Sequence, residues 1–145
     1  MNILVSLDIF ESTDKVVTAA TQFATAMSAK LFIVHVTEPE PDFIGYGVGP
    51  QTVRDSVSNE FHNEHLRIQD IAESLRQKGL DATGLLIQGS TADTILKQAD
   101  KLDAEMIVMG SHGRGAVYKM LVGSVSQAVL RKAQCPVLVV PTHNR

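Results

Sequence analysis

The chain has 145 residues, 44% of them hydrophobic and 20% charged, with a formal net charge of −3. Residues 1–145 therefore fit a single domain with enough length to bury a core, in the balance of a soluble globular protein. Evenly spread Lys and Arg exclude a nucleic-acid footprint, and short apolar runs exclude a membrane span.

The first expected strand, Asn2-Ile-Leu-Val-Ser-Leu7, is apolar and closed by Asp8. A strand that begins at Asn2 leaves no room for a signal peptide, and a single cysteine, Cys135, fits a reducing cytoplasm. Cys135 reads as a small buried hydrophobe, because its neighbours offer nothing to stabilise a thiolate. Ser12 or Thr13 is placed to cap a helix whose inward face is Val16, Val17, Ala20, Phe23, Ala24 and Met27. Leu31-Phe-Ile-Val-His-Val36 is the second strand, with His35 read as a satisfied core or interface histidine.

A breaker-rich loop follows from Thr37 to Pro50. Its Gly45-Tyr-Gly-Val-Gly49 is no dinucleotide fingerprint: the spacing differs and no strand feeds into it. An amphipathic helix then runs from Val53 to Lys78, with Val57, Phe61, Ile68, Ile71 and Leu75 in its stripe and Gly79 as its stop. His62 and His65 share a face of it, and without a further ligand nearby they read as a surface pair. Ala82 to Gln88 is the third strand, and Ser90 caps a helix with Ile95, Leu96 and Ala99 inward.

The fourth strand, Glu105-Met-Ile-Val-Met109, opens into Gly110-Ser-His-Gly-Arg-Gly115, and Gly123-Ser124 heads a helix reaching Lys132. Pro136 to Val140 is the last strand. This βαβαβαβαβ alternation, with strands apolar throughout, requires an α/β fold: a doubly wound, five-stranded, mainly parallel sheet with helices on both faces. Its ligand crevice lies at the carboxyl ends of the strands, where the winding reverses. A glycine loop at a strand end, followed by a helix start, offers backbone N–H groups and the positive end of a helix dipole. Together they suit an anion, and a polyphosphate above all. Arg114 in that loop is either a charge-assisted phosphate donor or a solvated cation. Ser124 is a helix cap, a phosphate donor, or both.

The spacing Gly110-x-x-Gly113, nine residues, then Gly123-Ser124 resembles the nucleotide signature of the universal stress protein family. The stretch Gly-Ser-His-Gly-Arg-Gly and the closing Cys135-Pro-Val-Leu-Val-Val-Pro141 are similar to that family as well, and the likeness runs from Asn2 to Pro141. The resemblance implies a Rossmann-like domain that binds ATP, with ADP, AMP or a cyclic nucleotide as other occupants. It implies Mg²⁺ or Mn²⁺ on the phosphates. The triphosphate would lie against Gly110, His112, Gly113, Arg114, Gly115, Gly123, Ser124, Val125 and Ser126. Asp8 would hold the ribose, the backbone of Val36 would meet the adenine edge, and Gly89 would line the base pocket. A carboxylate suits ribose because it accepts two hydrogen bonds, although an exposed loop Asp and a plain turn Gly remain the alternatives for Asp8 and Gly89. Ser6 before that Asp and Ile9-Phe10 after it depart from the family's usual Pro and Gly-Ser.

The resemblance further implies a homodimer in which Val137, Leu138, Val139 and Val140 pair antiparallel with their copies. A short apolar strand in last place independently suggests an edge needing cover. No carboxylate is placed by motif to orient water and no nucleophilic triad is supported by spacing, so no catalytic residue is assigned and ATP hydrolysis is expected to be slow at most. The expected function is that of a cytoplasmic, nucleotide-dependent stress regulator. A stress-family member without nucleotide, acting through protein contacts, is the alternative, and a nucleotidyl transferase would require a motif the chain lacks.

Overall fold

A computed structural model of the chain describes residues 1–9, 13–38, 51–112 and 122–142, with side chains from 59 onward in the helix that begins at Gln51. In order, the elements are β1 (Asn2–Ser6), α1 (Thr13–Met27), β2 (Lys30–Thr37), α2 (Gln51–Gln77), β3 (Ala82–Gln88), α3 (Thr91–Lys101), β4 (Met106–Gly110), α4 (Ser124–Lys132) and β5 (Val137–Val140). The five strands form one sheet of order β3-β2-β1-β4-β5, parallel at every pairing.

Because side chains alternate across a strand, each central strand feeds two cores. Ile3, Val5, Leu31, Ile33, Met106 and Val108 pack with Val16, Ala20 and Ala24 of α1 and Ile68 and Leu75 of α2. Leu4, Val34, Val36, Ile107 and Met109 pack on the opposite face with Ile95 and Ala99 of α3 and Val129 of α4. The expected doubly wound α/β architecture is the observed one.

Two members of the expected helix stripes lie outside these cores. Met27 is 42% exposed because α1 ends there: Ser28 turns the chain back at a φ of 52°, and Ala29 rather than Met27 closes the core. Phe61 is 37% exposed, two turns before Ile68. A helix of 27 residues is about 40 Å long and outruns a strand of seven residues, at about 23 Å, so only its later turns lie over the sheet. There α2 closes tightly on β3. A Cβ at Gly84 would stand 2.9 Å from Ile68 Cγ2, Gln69 donates to the Gly84 carbonyl at 3.0 Å, and Arg76 donates to that of Ala82 at 2.8 Å. Gly79, at a φ of +89°, provides the expected stop.

Thr37 extends β2 by pairing with Gln88, so the loop after β2 starts later than the breaker count suggests. Its residues 39–50, together with the expected cap Ser12, Phe10 and the side chain of Val57, lie outside the described residues. Two capping expectations change. Ser90 occupies the N-cap position of α3 without a side-chain cap bond, and Gly123 rather than Ser124 is the N-cap of α4.

Candidate functional site at the carboxyl edge of the sheet

The winding reverses between β1 and β4, so the crossovers on either side of that pair cover opposite faces and leave a crevice above the strand ends. Asp8 and Ser111 each lie two residues beyond the paired positions Ser6 and Met109. The register thus brings the carboxylate after β1 beside the start of the glycine loop. Asp8 is partly exposed there. Below it, Leu7 donates its N–H to the Val34 carbonyl at 2.9 Å and accepts from His35 Nδ1 at 2.9 Å. The carbonyl can only accept, so Nδ1 carries the proton. His35 is thus the satisfied core histidine its place in an apolar strand suggested.

On the other side of β1, Val36 is buried and paired with Ile87, and Gly89 donates its N–H to the Thr37 carbonyl at 3.1 Å. Gly89 has a φ of +157°, and a Cβ there would overlap Thr94 Oγ1. Its glycine is required by the close approach of α3, whatever else lies in the crevice. The head of α3 is occupied by a carboxylate: Glu38 Oε1 accepts from the Thr91 N–H at 3.1 Å and from the Thr91 hydroxyl at 3.0 Å. Asp93 adds a second acid in the first turn.

The head of α4 is arranged differently. Its first turn has no acidic residue, Gly123 donates its N–H to the Ser111 carbonyl at 2.6 Å, and Ser124 is exposed. Ser126, two residues further on and 3% exposed, gives its proton to the Gly110 carbonyl at 2.8 Å. Val125 is half-buried against the core that Val129 anchors. Ser111 joins these parts. Its N–H donates to the Val140 carbonyl at 2.8 Å, and its hydroxyl lies 2.9 Å from His112 Nδ1 and accepts from the Thr142 N–H at 3.0 Å. His112 is 6% exposed, so its ring faces the interior. Gly110 leaves room for Thr142, whose methyl would lie 2.8 Å from a Cβ added there.

The structure therefore brings Asp8, Gly110, His112, Gly123, Ser124, Val125 and Ser126 to one edge, with Val36 and Gly89 across β1 from them. Gly113, Arg114 and Gly115 lie outside the described residues. Sequence reading passed over Ser111, Thr142 and Glu38. Thr142 was discoverable from register alone: Gly110 pairs with Val140, so two residues further on His112 stands opposite Thr142. Glu38 carried no comparable signal, since its contact joins segments 53 residues apart.

The family model "Universal stress protein family" matches residues 1–141. A universal stress protein of Thermus aquaticus is 35% identical over 145 residues, covering 95% of this chain and 96% of that protein. The solved structure of MJ0577, a universal stress protein of Methanocaldococcus jannaschii, superposes with a TM-score of 0.81 at 25% identity, covering 99% of this chain and 97% of that one. A universal stress protein in complex with cAMP has the same fold, with a TM-score of 0.69 at 24% identity and coverage of 99% and 98%.

Proposed function

The chain belongs to the universal stress protein family, and we propose that it binds ATP at the carboxyl edge of its sheet as a cytoplasmic, nucleotide-dependent stress regulator. The observation that carries this reading is the contrast between two helix heads at that edge. The head of α3 is already neutralised by Glu38 and Asp93, whereas the first turn of α4 has no acid and carries the exposed Ser124. A phosphate chain is drawn to the second and repelled from the first. Ser124 then donates to phosphate, and the family resemblance adds Gly113, Arg114 and Gly115 as further phosphate contacts.

Asp8 holds the ribose hydroxyls one strand away, and the Val36 backbone with Gly89 bounds the base. His112 and Ser126, whose polar groups are engaged internally, hold the end of β4 and the head of α4 in place. The related protein solved with cAMP supports an adenine nucleotide as the occupant. Mg²⁺ or Mn²⁺ bound with the phosphates would offset their charge, and no side chain is assigned to it. No step of hydrolysis is assigned to any side chain.

The edge position of β5 and the half-exposure of all four of its residues support a homodimer through Val137, Leu138, Val139 and Val140. Mass spectrometry of small molecules released from the heat-denatured protein tests the nucleotide reading and names the occupant. Release of ATP, ADP, AMP or a cyclic adenine nucleotide upholds an adenine-nucleotide site, and a preparation that stays empty and fails to take up added MgATP favours the family member that works through protein contacts alone.

A further inference from the structure

Thr142 lies two residues beyond the edge strand β5, outside the glycine signature, and is 7% exposed. Its hydroxyl accepts from the His112 N–H at 3.0 Å and donates its one proton to the His112 carbonyl at 2.9 Å. A single side chain thus satisfies both main-chain groups of the residue directly before Gly113. Its own N–H donates to Ser111 Oγ at 3.0 Å, and its oxygen lies 3.3 Å from that same hydroxyl. Ser111 in turn accepts the N–H of Gly123. The end of β4 and the head of α4 are therefore tied together, and Thr142 fixes the former from the side.

The sequence explains why this replaces ordinary strand pairing. After Val140 comes Pro141, which has no N–H to offer a ladder. The hydroxyl of Thr142 supplies a donor and an acceptor where the β4–β5 ladder ends. Gly110 belongs to the same device, since any Cβ there would press on the Thr142 methyl at 2.8 Å. The φ of Gly110 is not positive, so that contact, and not backbone conformation, is what demands a glycine.

We propose that Thr142 is a positioning residue for the nucleotide: through its clamp on Ser111 and His112 it fixes the Ser111 carbonyl that holds the Gly123 N–H at the head of α4, and Gly110 is a glycine so that the clamp can close. The proposal rests on the nucleotide-binding reading above. It requires no contact between Thr142 and the ligand. Buried polar groups with a full set of partners hold one geometry, and a displaced α4 head no longer aims its donors at a polyphosphate.

Calorimetric titration with MgATP, at a temperature where circular dichroism shows each protein fully folded, provides the test. Thr142→Val removes the hydroxyl and keeps the shape, and MgATP should bind about tenfold more weakly. Thr142→Ser keeps the hydroxyl and should bind like wild type. Gly110→Ala should weaken binding as Thr142→Val does, because the new Cβ pushes the clamp aside. Adding Thr142→Ser to Gly110→Ala removes the clashing methyl and should restore affinity, a rescue that general destabilisation would not produce. Wild-type affinity in Thr142→Val or Gly110→Ala, or a double variant no better than Gly110→Ala, overturns the proposal. If Thr142→Val does not fold, the comparison of Gly110→Ala with the double variant decides alone. A wild-type protein that takes up no MgATP overturns the nucleotide reading and this proposal with it, and is told apart from the other failures because the variants then play no part.

Discussion

Ser126→Ala separates support of the loop from contact with phosphate. The Ser126 hydroxyl is 3% exposed and donates to the Gly110 carbonyl at 2.8 Å, with the Ser111 carbonyl more distant at 3.4 Å. Alanine removes the donor and leaves a partly buried carbonyl without it, at a cost of about 1–3 kcal/mol. Alanine also favours helix over serine by about 0.5 kcal/mol inside α4, which offsets part of that cost. The expected net destabilisation is about 1–2 kcal/mol. For a domain of this size, each kcal/mol lowers Tm by roughly 2–4 °C, so a fall of about 2–8 °C should appear in a thermal melt. Urea unfolding should show a lower midpoint at an unchanged slope, the signature of lost stability rather than a changed unfolded state. Because the hydroxyl proton is used internally, the further rise in Tm on adding MgATP should stay close to that of wild type. An unchanged melt combined with lost MgATP stabilisation would refute the reasoning, since Ser126 would then serve the ligand and not the loop.

Asp8→Ala should weaken MgATP binding by about 1.5–3 kcal/mol, the range for hydrogen bonds to a charged group, and abolish the preference for ATP over 2′-deoxy-ATP in competition titrations. Equal losses for the two nucleotides would give Asp8 a structural task instead. The thiol pKa of Cys135 is raised, first by partial burial and then by the nearby negative charge of Asp100. Alkylation by iodoacetamide at pH 7.5 should therefore be slower than for a free thiol, and Asp100→Asn should speed it by lowering that pKa. A rate equal to that of glutathione would contradict this. The edge strand predicts that wild type sediments as a dimer at micromolar concentration and that Leu138→Lys sediments as a monomer. A monomeric wild type, or a variant that dimerises equally well, would remove the β5 interface.

The fold was legible because its signals are periodic. Strands apolar on both faces, alternating with helical stripes such as Val16-Ala20-Ala24, admit a parallel sheet with two covers, and β3 runs from Ala82 to Gln88 as its pattern suggested. Periodicity does not report where the partner surface ends. Met27 and Phe61 have the right spacing and lie beyond the part of the sheet that would bury them. At the site, the glycine spacing pointed to the carboxyl end of β4 and to the head of α4, and Gly110, Gly123 and Ser124 do meet there, because strand-to-helix turns leave a mark in the sequence.

What holds that edge together leaves no such mark. Ser111 and Thr142 are 31 positions apart and meet only through the β4–β5 register, and Glu38 reaches Thr91 across 53 positions. Gly89 and Gly110 illustrate the same limit: each invites a ligand explanation, yet each faces a threonine that a Cβ would strike. Close approach within the protein and close approach of a ligand ask for the same residue, and only coordinates distinguish them.

Isothermal titration of the nucleotide-stripped protein with MgATP, run beside Gly113→Val, tests the central claim most directly. A β-branched side chain at Gly113 would obstruct the approach of phosphate to the main chain. Wild type should bind one MgATP per chain, and Gly113→Val should retain the folded circular dichroism spectrum while losing most of that affinity. Unchanged affinity in Gly113→Val, or no heat of binding in wild type, would contradict a polyphosphate site at the head of α4.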